Sequence, residues 1–247
     1  MKKEIKVGCC GFGGSQEDYF KKFRIVEVQQ TFYDPPQIKT LERWRQNAPD
    51  DFEFTIKAWQ IITHKFPGPT YRRMRRKYSE LELKEAGFFR GSRIVWQGFE
   101  ETVQCAVALK ACAIVFQCPS SFKPTDENID NFCNFFSKAL KILPLELKTT
   151  RLVWEARGEW TSDSIKSLCD RFGLIDCVDI FVRKPTTAGE FYFRLHGGED
   201  YSHTYNDTEL GWLQEQVQKY EGGFCMFNNV SMITDAQRFL RILGRNY

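Results

Sequence analysis

Histidine is scarce in this sequence, and no two cysteines stand in a metal-binding spacing. The 247 residues include three histidines, His64, His196 and His203, and no His-Glu-x-x-His motif. The nine cysteines form no Cys-x-x-Cys pair, and an odd number argues against a fully paired disulfide framework. We therefore expect a reduced, cytoplasmic protein with no metal ion and no other cofactor.

Long apolar segments are also missing. No apolar run approaches the roughly 20 residues that a membrane-spanning helix requires. Residues 1–4 are mostly polar and lead directly into a predicted strand, which is not typical of a signal peptide. The sequence therefore predicts a protein without a membrane partner.

The composition itself is that of an ordinary globular protein with many aromatic residues. Hydrophobic residues make up 42% of the chain and charged residues 27%, a balance that supports a packed core. The 22 phenylalanines indicate a large apolar interior. A net charge of +3 permits an anionic ligand but does not require nucleic acid as a partner.

Alternating strand and helix patterns run along the chain. Eight apolar segments are predicted as strands, at residues 4–9, 24–29, 52–58, 113–117, 151–155, 178–182, 191–196 and 224–227. Helical patterns lie at 38–45, 99–110, 129–143, 162–172 and 231–243, the last two followed by the capping glycines Gly173 and Gly244. This alternation predicts an α/β fold, a (β/α)₈ TIM barrel formed by one domain of residues 1–247. A doubly wound open sheet is the alternative.

The segment between the third and fourth predicted strands is too long for one crossover helix. Residues 65–96 include a run of five basic residues at 72–77, followed by a stretch of helical composition at 79–86. We expect a basic helical insertion or a lid here. The alternative is a helix whose charged face is simply exposed to solvent. The basic residues are Arg72, Arg73, Arg75, Arg76 and Lys77.

Polar side chains stand at the ends of most predicted strands. In a barrel these ends meet at one mouth, where active sites lie, and buried polar groups are costly unless they are paired. A ligand site is therefore expected there, with an internal salt-bridge network as the alternative. Glu155, His196 and Glu27 are the catalytic candidates, with Glu155 as general base and His196 moving protons. The ligand-binding candidates are Lys57, His64, Gln117, Arg157, Arg194, Tyr33, Trp160, Asn228 and Asn229, of which the two arginines suit a carboxylate or phosphate.

Two further kinds of site have weaker support in the sequence. Glu27, Glu155 and His196 are a conceivable set of ligands for one metal ion, but histidine is too scarce to favour it. Cys9 and Cys10 adjoin a glycine-rich loop, without any motif typical of a catalytic thiol.

Several motifs together resemble one known family. Residues 26–33, Val-Glu-Val-Gln-Gln-Thr-Phe-Tyr, resemble its Val-Glu-x-Asn-x-Thr-Phe-Tyr signature, and residues 116–122 match its Phe-Gln-x-Pro-Pro-Ser-Phe element. Further matches lie at 54–58, 63–64, 155–160, 194–197 and 227–229. The chain is similar over nearly its whole length to the YecE-like family, a domain of unknown function. The resemblance implies a TIM barrel related to sugar isomerases and apurinic endonucleases, but it implies no reaction.

This chain departs from the family pattern at two places near the expected site. Gln29 or Gln30 replaces the family's asparagine, and Gly158 stands where histidine is common. The missing histidine weakens any mechanism that needs a proton shuttle beside Arg157.

Three functions remain open on the sequence alone. The first is an enzyme with hydrolase- or isomerase-like acid/base chemistry, acting on a small anionic or phosphorylated ligand. The second is a nucleic-acid-binding or repair-associated protein that uses the basic run at 72–77 for phosphates, with Phe32, Tyr33 or Trp160 stacking on a base. The third is a non-catalytic ligand sensor that uses the same pocket.

Overall fold

Eight parallel strands close into a barrel in the computed structural model, which describes residues 4–245. The strands are β1 (Ile5–Cys9), β2 (Ile25–Val28), β3 (Glu53–Lys57), β4 (Ala113–Gln117), β5 (Arg151–Glu155), β6 (Ile175–Val178), β7 (Glu190–Leu195) and β8 (Gly222–Phe227). Each strand pairs with the next in the chain, and β1 pairs with β8 to close the ring. The predicted (β/α)₈ TIM-barrel fold is confirmed.

Helices connect the strands on the outside of the barrel. They are α1 (Gln16–Phe20), α2 (Gln30–Tyr33), α3 (Ile38–Asn47), α4 (Gln60–Thr63), α5 (Glu80–Lys84), α6 (Arg93–Leu109), α7 (Asp126–Ile142), α8 (Ser162–Phe172), α9 (Asp207–Val217) and α10 (Met232–Ile242). Gly173 ends α8 with a φ of 64°, as its sequence position predicts. Helix α6 begins six residues before the predicted start. Helix α9 has no counterpart among the predicted helices, although Asn206 and Glu209 form a capping box at its start.

The sixth strand differs most from its prediction. It covers Ile175–Val178 and so shares one residue with the predicted segment 178–182. The side chain of Asp179 explains the early end, because its carboxylate accepts hydrogen bonds from the backbone N–H groups of Phe181 and His196. The apolar residues beyond Asp179 therefore belong to a loop, in which Phe181 stacks on Tyr205 of the following loop.

Aromatic residues fill the layer between the barrel and its outer helices. Phe132 and Phe136 of α7 contact each other, and Phe132 also packs against Trp154 of β5. Phe89, which precedes α6, contacts both of these phenylalanines. Most phenylalanines of the chain are buried, in this layer and elsewhere, as the large apolar interior expected from the sequence requires.

A short helical segment is inserted between α4 and α6, as predicted. It contains a 3₁₀ helix, Pro69–Arg73, and helix α5. Tyr71 and Leu83 of this segment form a small separate core with Trp59 and Ile94. The segment is therefore packed on the barrel, and its first residues lie beside the mouth. Among residues 4–245, no helix is long and apolar enough to cross a bilayer.

Candidate anion-binding site at the barrel mouth

The guanidinium group of Arg194 is buried between two carboxylates at the C-terminal end of the barrel. Its Nε donates to Glu27 Oε2 at 3.1 Å and its Nη1 donates to Glu155 Oε2 at 2.5 Å. Its Nη2 lies 3.0 Å from Glu27 Oε1. These side chains are 1%, 0% and 6% exposed, so the charges must neutralise one another inside the protein. Arg194 thereby links β7 to β2 and β5.

The carboxylate of Glu27 has no oxygen left for a substrate. Besides Arg194, it accepts a hydrogen bond from the Tyr192 hydroxyl at 2.8 Å and one from the Gln29 amide. Tyr192 is in turn 2.8 Å from Thr55 Oγ1. Glu27 is thus an ion-pair and hydrogen-bond partner of Arg194 in this structure, and its predicted catalytic role stays a prediction.

Glu155 also differs from the general base expected from the sequence. Its Oε1 accepts a hydrogen bond from Arg157 Nε at 2.9 Å and lies 3.3 Å from His196 Nε2. Burial alone would raise the pKa of the Glu155 carboxyl, but the charges of Arg194 and Arg157 outweigh it and hold this pKa well below its usual range. A carboxylate held ionised in this way is a weak proton acceptor, and we assign it to positioning Arg157.

His196 lies behind the site rather than on its surface. Asn228 Nδ2 is 3.0 Å from His196 Nδ1, and Glu155 Oε1 lies on the other side of the ring. Arg157 Nη2 also lies 3.4 Å from His196 Nε2, so this ring nitrogen faces both the guanidinium of Arg157 and the carboxylate of Glu155. The side chain is 15% exposed. This geometry suits a group that orients Glu155 and Arg157.

Lys57, at the end of β3, has surroundings unlike those of the other buried charges. Its Nζ donates to Gln117 Oε1 at 2.5 Å and lies 3.8 Å from the centre of the Phe32 ring. Within residues 4–245, no carboxylate oxygen comes within salt-bridge distance of this amine. Burial, together with the charge of Arg194, lowers the pKa of Lys57 to about 7, although Glu155 and Glu27 oppose the shift. Lys57 therefore titrates near neutral pH.

A cavity of about 630 Å³ opens above these residues. Its charged lining residues are all basic: Lys57, Lys65, Arg157 and Arg194. No aspartate or glutamate is among its lining residues in the described part of the chain. Uncharged polar groups complete the wall, namely Gln29, Tyr33, His64, Thr70, Gln117, Ser120, Ser121, Tyr201 and Asn228. A cavity with this lining suits a small anion that also accepts and donates hydrogen bonds.

Seven of the nine predicted ligand-binding residues line this cavity, and Trp160 and Asn229 do not. The Trp160 indole is buried against Phe122 and Trp154, and its N–H donates to the carbonyl of Phe122 at 2.6 Å. Asn229 donates from its amide to the carboxylate of Asp235 at 2.7 Å. Both side chains therefore contact the protein beside the site and do not line the cavity, so their predicted ligand contact stays a prediction.

The sequence interpretation missed two residues that shape the site. Tyr192 lies two residues before Arg194 on β7, so the two side chains share the inward face. Alternation along this strand would therefore have indicated that Tyr192 lies near the site. Asp179 accepts from the backbone of His196 at 2.8 Å, but the misplaced sixth strand put it in a strand interior. The signal for Asp179 was its polarity within an otherwise apolar run.

The two weaker alternatives also meet geometric obstacles. Across residues 4–245, no three His, Cys, Asp or Glu side chains are grouped as a metal site. Between Glu27 and Glu155 the guanidinium of Arg194 occupies the position that a cation would need. Burial raises the pKa of the Cys9 and Cys10 thiols far above the usual range, which leaves little reactive thiolate.

The basic run of the inserted segment lies beside the cavity and is mostly exposed. Arg76 is the exception, because it pairs with Glu101 and with Asp34. The guanidinium of Arg73 lies 3.6 Å from the centre of the Tyr33 ring, and Tyr33 also lines the main cavity. A second, open concavity of about 720 Å³ is lined by Tyr33, Arg72, Arg73, Arg75 and Arg76, together with Gln30, Asp34, Pro35, Pro36 and Gln37.

Fold and site together define a TIM barrel with a cationic pocket at the C-terminal ends of its strands. Residues 15–247 match the family model described as "Protein of unknown function DUF72", so the chain belongs to the DUF72 family. The YecE-like resemblance is consistent with this family. No curated protein matches the chain.

Solved structures share the fold over nearly the full length of the chain. A DUF72 family protein from Enterococcus faecalis is 19% identical, with 98% of this chain and 96% of that chain covered at a TM-score of 0.73. A DUF72 family protein from Thermotoga maritima is 18% identical, with 98% of this chain and 100% of that chain covered at a TM-score of 0.64. A xylose isomerase domain containing protein from Salmonella typhimurium is 13% identical, with 98% of this chain and 97% of that chain covered at a TM-score of 0.59. At these identities the similarity extends to the fold alone.

The network around Arg194 predicts a large loss of stability in the variant Glu27→Gln. Removing one carboxylate leaves a buried guanidinium undercompensated, which costs roughly 3–5 kcal/mol of unfolding free energy. Urea unfolding measures the change. The control is Glu159→Gln, which breaks the exposed pair of Glu159 with Lys123 and should cost less than about 1 kcal/mol. Equal losses in the two variants would contradict the structural role of Glu27.

Proposed function

We propose that this protein is an enzyme that binds a small anionic or phosphorylated ligand in the cavity at the barrel mouth. The observation that carries the proposal is the set of ionisable groups in the lining, which includes four basic residues, two of them paired from behind with Glu27 and Glu155, and, within residues 4–245, no aspartate or glutamate. A preformed site of this kind stabilises an anion without reorganising, because its cations are already held in place. The volume of about 630 Å³ accommodates a metabolite-sized molecule.

Arg157 is the residue best placed to hold the anionic group. Its side chain is 34% exposed, whereas Arg194 is 1% exposed and fully engaged by carboxylates. Glu155 fixes one edge of the Arg157 guanidinium at 2.9 Å and leaves other N–H groups for a ligand. Ser120 and Ser121 add hydroxyl groups on the same wall.

Lys57 is the group best suited to acid/base chemistry in this pocket. Its pKa of about 7 means that its charged and uncharged forms are both populated near neutral pH, whereas an ordinary lysine is almost fully protonated there. His64 is a poorer candidate, because burial and the charge of Lys57 lower its pKa to about 3 and keep the imidazole neutral. Hydrolase- or isomerase-like proton transfer therefore falls to Lys57, in place of the Glu155 and His196 pair expected from the sequence.

The variant Arg157→Ala tests the proposed anion site. Loss of a charge-assisted hydrogen bond of about 1.5–3 kcal/mol weakens inorganic phosphate binding by roughly 10- to 100-fold. Isothermal titration calorimetry measures the affinity, and urea unfolding checks that the variant remains folded. Arg171→Ala, on α8 and away from the cavity lining, is the matched control that should keep the wild-type affinity.

Two results, one from this titration and one from activity assays, would count against the proposed enzyme. Phosphate affinity unchanged by Arg157→Ala would contradict the assignment of the anion to this cavity. Tight binding of a small anion with no turnover of any phosphorylated or carboxylated compound would favour the sensor hypothesis instead.

A nucleic-acid ligand is the second candidate, favoured by the exposed arginines of the inserted segment. Arg72, Arg73 and Arg75 line the concavity that adjoins the main pocket at Tyr33. A single strand whose phosphates follow these arginines would place a base or a phosphate at the mouth of the cavity.

Charge reversal separates this candidate from the small-ligand proposal. The double variant Arg72→Glu with Arg75→Glu should weaken binding of single-stranded DNA and lower the salt dependence of log K by about 1 for each phosphate that is no longer neutralised. Fluorescence anisotropy at several salt concentrations measures both. Lys148→Glu, in the loop that enters β5 at the opposite end of the barrel, is the control. A DNA affinity that changes neither with salt concentration nor in the double variant would rule this candidate out.

A further inference from the structure

Lys57 is a buried amine without a carboxylate partner, although two carboxylates lie nearby. The only hydrogen bond of its Nζ within residues 4–245 is the one to Gln117 Oε1. Glu27 and Glu155 do not reach it, because Arg194 and Arg157 hold both carboxylates. The side chain is 4% exposed, and what exposure it has is toward the cavity that it lines.

The environment of this amine makes its uncharged form, with an available lone pair, accessible near neutral pH. An uncharged amine has two N–H groups and one lone pair, and the hydrogen bond to Gln117 uses a single N–H. One side of the amine is covered by the Phe32 ring, against which the His64 ring also packs. The charged groups that act on Lys57 are Arg194 on β7, Glu155 on β5, Glu27 on β2 and Arg157 after β5. Burial and the two arginines lower the pKa of Lys57, and the two carboxylates offset this only in part. A lysine desolvated beside other cationic groups is a typical activated nucleophile.

We propose that Lys57 forms an imine with a carbonyl carbon of the ligand whose anionic group binds at Arg157. The inference rests on the proposed function and narrows its substrate class to anionic carbonyl compounds, such as α-keto acids and phosphorylated aldehydes or ketones. Lys57 and Arg157 line the same cavity, so one small molecule reaches both.

The step balances without any further reagent. The lone pair of Lys57 Nζ attacks the carbonyl carbon, and the electron pair of the C=O bond moves to oxygen, which takes up a proton released by the nitrogen. The resulting carbinolamine loses its hydroxyl group as water when the second nitrogen proton is transferred. The products are one imine and one water molecule, and nothing is oxidised or reduced.

Pyridoxal 5′-phosphate is a suitable probe, because it carries an aldehyde and a phosphate on one small molecule. The intact protein is incubated with the probe at pH 7 and reduced with borohydride, and the adducts are located by peptide mass spectrometry. We expect about tenfold more adduct at Lys57 than at the exposed Lys21, since an ordinary lysine with a pKa near 10.4 is almost fully protonated at this pH. Inorganic phosphate should protect Lys57 and leave Lys21 labelled.

Two variants and a binding measurement complete the test. Lys57→Arg keeps the charge but forms no imine and should lose the major adduct, whereas Lys166→Arg, an exposed lysine on α8, should keep it. Circular dichroism verifies that Lys57→Arg is folded. If it is not folded, protection of Lys57 by phosphate in the wild-type protein tests whether the adduct forms in the cavity.

The outcomes separate this inference from the function on which it rests. Phosphate binding that depends on Arg157, with adducts spread over exposed lysines and none enriched at Lys57, overturns the imine and leaves the anion site standing. Absence of both phosphate binding and a Lys57 adduct overturns the imine and the proposed function together.

Discussion

The arrangement of charges around Arg194 determines what the mouth of this barrel can do. Its guanidinium lies between Glu27 and Glu155 on two other strands, in a place that water barely reaches. Each of these charges would be costly alone, so the three are tolerable only together. The network ties β2, β5 and β7 to one another at the C-terminal end of the barrel, and it also decides which polar groups remain for a ligand.

Because Arg194 and Arg157 take up both nearby carboxylates, Lys57 remains without a counter-ion at the floor of the cavity. The pocket therefore presents basic side chains, two of them paired with carboxylates, and one amine whose pKa is lowered to about 7. A bound anion would supply the missing counter-charge, which links ligand binding to the protonation of Lys57. DUF72 membership and the similar solved structures establish the fold. The case for anion binding comes from this chain's own residues.

The barrel could be predicted from the sequence because its strands are short apolar runs separated by helical patterns. The position of Arg194 near the end of a predicted strand also indicated that it lies at the mouth of the barrel. The roles of the polar residues could not be predicted, since they depend on which partners meet across the barrel. Glu155 is predicted as a base by its position alone, and only the two arginines beside it show that it is held ionised. Trp160 lies in a loop after the end of β5. The alternation of inward and outward side chains stops there, so the sequence no longer distinguishes a core side chain from one that contacts a ligand.

The protonation of Lys57, followed by NMR through the shift of its side-chain ¹³Cε, tests the account most directly, with Lys57→Arg to assign the resonance. We predict a midpoint near pH 7 in the free protein and a higher midpoint with phosphate, because the anion favours the charged amine. Phosphate affinity should accordingly fall as the pH rises through the pKa of Lys57 in the free protein. A midpoint near the ordinary lysine value of about 10.4, unchanged by phosphate, would contradict the account.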